Sequence, residues 1–102
     1  MISIIDTPEE YRLRILAEEC AELAQAALKM IRANVCYSET PVNEQEALEN
    51  LIEESADVIL CIKSVLTEEQ LEGVKAIETK KFSRWEQRLN NWYAQILQDV
   101  TG

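Results

Sequence analysis

The amino-acid sequence predicts an all-α fold, and three observations carry that prediction. Only two Gly and two Pro occur in 102 residues, so turn-forming residues are scarce. Apolar side chains recur at three- and four-residue intervals through three separate stretches. Each stretch is preceded by a helix-opening signal. At this length one domain spanning residues 1–102 is expected.

Thr7-Pro8-Glu9-Glu10 has the pattern of a capping box with proline in the first turn, and predicts a helix from about residue 8 to about residue 34. Leu16, Cys20, Leu23, Ala27 and Met30 form its apolar stripe, expected to be buried in a helical core. Cys36 to Val42 has Ser38, Thr40 and Pro41 and no helical period, which predicts a connecting loop. Asn43, with Glu46 three residues on, opens a second helix through about Leu66. Leu48, Leu51, Ser55, Val58, Ile62 and Val65 are its expected core face. Thr67-Glu68-Glu69-Gln70 repeats the capping signature, and Gly73 is expected to break or bend the helical segment after it. A last helical pattern, from about Val74 to Leu97, sets Phe82, Trp85, Leu89, Trp92 and Ile96 on one broad face. Helices on the order of 35 to 40 Å long are hard to cover in so small a monomer. A multi-chain bundle, a homo-oligomer of two or four copies, is therefore expected.

Composition narrows the function. Asp and Glu outnumber Lys and Arg 19 to 10, a formal charge of -9 that opposes long-range attraction to a nucleic-acid backbone. An acidic protein that handles a small phosphorylated substrate needs a cation between its carboxylates and the phosphates. No basic leader followed by an apolar stretch begins the sequence, and no run approaches the roughly 18 to 20 apolar residues of a membrane span. A cytoplasmic protein without a membrane partner is expected. Cys20, Cys36 and Cys61 are odd in number and fit reduced structural thiols. With no histidine in the chain, none has an activating imidazole.

Two segments carry candidate chemistry: Glu18-Glu19-Cys20-Ala21-Glu22-Leu23 and Glu53-Glu54-Ser55-Ala56-Asp57-Val58. Each holds a carboxylate pair spaced i, i+3, so two antiparallel helices would present four acids to one space. Asp6 with Glu9, Glu46 with Glu49 and Glu69 with Glu72 have the same spacing. What differs is the surroundings. At about 100° per residue, Glu19 projects between Ile15 and Leu16 or Leu23, and Glu54 between Cys61 and Val58. Glu46, Glu49, Glu69 and Glu72 fall in opening turns, where acids favour the helix dipole. Half-buried carboxylates repel by several kcal/mol at roughly 4 Å and an effective dielectric near 20. Magnesium would offset this, taking oxygen ligands and keeping waters that phosphates can displace. The lack of histidine disfavours a Glu-x-x-His di-iron bundle or an ordinary zinc site.

Glu19-x-x-Glu22 followed by Glu54-x-x-Asp57, each preceded by a glutamate and followed by a hydrophobic residue, resembles the paired signature of the MazG-like all-α nucleoside triphosphate pyrophosphohydrolase superfamily. The similarity of pattern covers roughly residues 8–66, and the stretch between the motifs is somewhat longer than in many members. The resemblance implies long antiparallel helices in a four-helix-bundle-type fold, completed by oligomerisation. It also implies Mg²⁺, with Mn²⁺ as a substitute, held by Glu19, Glu22, Glu54 and Asp57, and cleavage of an NTP or dNTP between the α- and β-phosphates. Glu18 and Glu53 would position water or neighbouring groups.

Lys81, Arg84 and Arg88 gather on one side of the last helix and, with Lys29, are candidate substrate-phosphate contacts. Solvated charges or salt bridges to the abundant acids are the competing explanation. Trp85, Trp92 and Tyr93 invite base stacking, although an aromatic stripe at helical spacing is usually core or interface. Tyr11, Tyr37 and Gln25 are weaker candidates for base contact. The leading expectation is hydrolysis of a surplus or non-standard nucleotide. Its rivals are a non-catalytic acidic helical interaction module and a family member that binds nucleotides without hydrolysing them.

Overall fold

The computed structural model describes residues 2–35 and 42–102. Three α-helices dominate, α1 (Glu9–Ala33), α2 (Glu44–Val65) and α3 (Glu68–Thr101), after a single 3-10 turn at Ile4–Asp6. No strand occurs among the described residues. The chain divides into two compact units, Met1–Thr67 and Glu68–Gly102. The expected loop lies mostly outside the described residues, together with Cys36 and Tyr37.

The helix starts match the sequence signals unevenly. Asn43 caps α2 as expected, its side chain accepting from the Glu46 amide at 3.1 Å. Thr7 does not cap α1. Its hydroxyl donates instead to the Ile4 carbonyl at 2.6 Å, and Pro8 stands at the N-cap without a side-chain bond. The preceding turn captures Thr7 because it has a capping box of its own. There the Ser3 hydroxyl accepts from the Ile5 amide, and the Ser3 amide donates to Asp6 at 3.1 Å.

In the first unit α1 and α2 run antiparallel. The Arg12 guanidinium, near the start of α1, donates to the Ser64 carbonyl near the end of α2. Only Ala26, Ala47, Val58 and Cys61 are buried among the described residues, and the two alanines are almost wholly so, at 1% and 0% exposure. Such small side chains allow a neighbouring backbone to come close, and Ala47 has no room to grow. Ala47→Leu is expected to destabilise the pair by about 1–3 kcal/mol through overpacking, read as a lowered urea midpoint.

The expected apolar stripes are only partly covered. In α1, Leu16, Leu23 and Met30 are half-buried while Cys20 and Ala27 are exposed. In α2, Leu51, Ser55, Ile62 and Val65 are half-buried and Leu48 is exposed. One neighbouring helix covers a narrower strip than the broad apolar arc these helices carry.

In the second unit, α3 runs through Gly73 without a break and ends at Thr101, past the expected Leu97. A single helical glycine costs only about 1 kcal/mol, too little to interrupt a helix of 34 residues. Gly73 has no positive φ, and an added Cβ would meet nothing within 4 Å. Gly73→Ala is therefore expected to stabilise α3 by about 0.5–1 kcal/mol, seen as slower amide exchange through its first turns. No residue of α3 is buried. Among the described residues no helix is long and apolar enough to cross a membrane.

Candidate metal centre

The antiparallel register of the first unit brings the motif acids together. Seven residues on from Arg12 is Glu19, and seven back from Ser64 is Asp57, so the tie that aligns the helix ends also sets these carboxylates opposite each other. Glu19, Glu54 and Asp57 each offer a carboxylate oxygen lying within 4.8 Å of the others, and all three residues are half-buried.

Glu54 is the most constrained of them. Its Oε2 is shut off from solvent and has no hydrogen-bond partner. Burial pushes its carboxyl above the ordinary carboxylate range, and the charges of Asp57, Glu19, Glu22 and Glu53 push it further the same way. All four of these neighbours are acids. A buried acceptor without a donor, among like charges, is a costly arrangement unless a cation or proton completes it.

The residues present fit a divalent cation. Magnesium binds oxygens at about 2.1 Å, so its ligand oxygens lie up to about 4.2 Å apart across an octahedron. Calcium, at about 2.3–2.6 Å, spans slightly more. The observed spacing needs only small side-chain movements to match, and an all-carboxylate donor set suits such hard ions.

The other expected site residues are distributed less tightly. Glu22 is exposed and lies outside the three-residue cluster, although its charge acts on Glu54. The reason lies in the helix: Glu22 is almost a full turn beyond Glu19, rotated toward solvent. Glu18 and Glu53 are exposed. Lys29 is half-buried, two turns along α1 from Glu22. Lys81, Arg84 and Arg88 belong to the second unit, where they share one side of α3 with Trp85, Leu89 and Trp92 around a shallow groove. None of these four cations has an ion-pair partner among the described residues, where the pairs formed are Arg14 with Glu10 and Lys75 with Glu72. Tyr11 and Gln25 are exposed.

Two further residues of the first unit are not singled out by the sequence motifs. Cys61 is buried one turn beyond Asp57, and its thiol is pushed up by burial and then by Glu19 and Asp57. Both influences disfavour the thiolate, the reactive form of a cysteine. Arg12 joins α1 to α2, and its Nε is buried without a partner. A signal for it does exist in the sequence: Arg12 lies two turns before Glu19, on the same apolar arc.

Comparison with protein-family models, with curated proteins and with solved structures finds no match to this chain.

Proposed function

We propose that this chain is a Mg²⁺-dependent, MazG-like nucleoside triphosphate pyrophosphohydrolase. It cleaves an NTP or dNTP between the α- and β-phosphates to the monophosphate and pyrophosphate, as nucleotide-pool housekeeping in the cytoplasm. The observation that carries this reading is the convergence of Glu19, Glu54 and Asp57 around a buried, unpartnered carboxylate oxygen.

In this reading Glu19, Glu54 and Asp57 hold the cation, and Glu22 joins them by a rotamer change of its solvent-facing side chain. When bound, the cation neutralises the triphosphate and lowers the cost of in-line attack by water. Glu18 and Glu53 orient water from the rim. Lys29, in the same unit and free of ion pairs among the described residues, is a donor for phosphate oxygens. Mn²⁺ substitutes for Mg²⁺, since it favours the same oxygen donors. Apolar side chains left exposed on both units, such as Ile52, Ile59, Trp85 and Trp92, support completion of a four-helix-bundle-type fold by homo-oligomerisation.

The same exposed apolar surface favours the second reading, a non-catalytic acidic interaction module. The two part on chemistry. Purified protein with Mg²⁺ and a panel of NTPs and dNTPs should release pyrophosphate from at least one of them. Nucleotide left intact across the whole panel, with Mn²⁺ also tried, would leave the interaction module.

A further inference from the structure

We infer that α3 pairs in parallel with α3 of a second copy of this chain, through a two-stranded coiled coil centred on Leu89. The inference names a surface and an orientation for the assembly proposed above. It rests on that self-association, while depending on nothing at the acid cluster.

The seam is written in the spacing. Phe82, Trp85, Leu89, Trp92 and Ile96 succeed one another at intervals of three, four, three and four residues, the a and d positions of successive heptads. Along α3 these side chains stay exposed: Phe82 is 61% exposed, Trp85 61% and Trp92 63%. The register is bounded, because the next seam position on either side is a charge, Glu78 before it and Asp99 after it. Buried aromatics contribute about 150–250 Å² each, so closing five layers between two copies removes on the order of 1,000 Å² from water. That reaches the size of a specific interface.

Charge decides both the occupant and the direction. With Phe82 at a, Lys81 and Arg88 are g positions while Glu86 and Tyr93 are e positions. Parallel strands set each g beside the e five residues on in the partner strand. Lys81 then meets Glu86 of the second copy, and Arg88 meets the ring face of Tyr93, each pairing occurring twice by symmetry. Antiparallel strands set g against g and e against e, which yields no opposite-charge pair. Within α3 neither Glu86 nor Arg88 has an ion-pair partner, so both are available for this role.

Asp99→Cys in the full-length protein places a thiol at the d position that ends the seam. Equilibrated in a glutathione redox buffer, this variant is expected to form a 99–99 disulfide, identified as a linked peptide by mass spectrometry, so the native cysteines can stay. In that background Lys81→Glu and Glu86→Lys should each lower the equilibrium linkage roughly tenfold, because two attractive pairs become repulsive. The double swap should restore it to within about threefold. As α3 contributes no buried residue, these changes leave the α1–α2 pair folded, which circular dichroism checks. Absence of the 99–99 link, or linkage indifferent to the charge swaps, overturns the parallel seam. Sedimentation separates the failures: an oligomer without the link removes only the α3 pairing, whereas a monomer also removes the assembly.

Discussion

Glu54→Gln should lower pyrophosphate release by at least about 100-fold while the protein stays folded. Removing a group that merely orients a metal ligand costs about 10- to 100-fold, and a direct ligand should cost no less. Gln keeps the shape of Glu54 but loses the charge, so the three-carboxylate set formed with Glu19 and Asp57 becomes two. Folding is spared because Oε2 of Glu54 has no hydrogen bond to lose, and an amide can donate to the neighbouring carboxylates. Asp57→Asn should behave alike. Glu69→Gln is the informative control, since Glu69 shares the i, i+3 spacing with Glu72 but lies in the opening turn of α3. Turnover by Glu54→Gln and Asp57→Asn equal to the unaltered protein would reject the assigned site.

Local signals make the fold class and the acid cluster legible, and tertiary competition hides the rest. Asn43 caps its helix through the local side-chain bond to the Glu46 amide that its signature predicts. Thr7 has the same kind of signature and loses it to a turn formed by Ser3 and Asp6, a pairing that spans only three residues. Gly73 breaks nothing, since its cost is local and fixed while the helix around it is long. The wheel separates Glu19 and Glu54 from other acids at the same spacing, because it records which face carries apolar neighbours. It places Glu22 less well, since an apolar arc marks a direction and does not say how much of it one neighbouring helix covers. The stripes through Cys20 and Ala27 fail for that same reason.

The cost of gathering these acids should be visible in stability before any turnover is measured. Without divalent cations, Glu54 holds its proton to higher pH in the folded chain than in the unfolded one. As pH rises above the ordinary carboxyl range, the unfolded chain releases that proton first. Stability contributed by this group is therefore lost as pH climbs through the raised value. Glu54→Gln removes the titration, so in EDTA its melting temperature should exceed that of the unaltered protein near neutral pH. The two curves should converge as pH falls into the ordinary carboxyl range. Added Mg²⁺ should reverse the order. Binding to the folded state at about tenfold above its dissociation constant raises the melting temperature of a domain this size by roughly 5–10 °C. The increment should grow with pH, because the ligands must be deprotonated, and Glu54→Gln should lose most of it. NaCl at matched ionic strength screens the same repulsion without occupying the site and should give a smaller rise. Equal shifts from Mg²⁺ and NaCl, in both proteins, would mean that the acids form only a screened patch, and the metal centre would have to be abandoned.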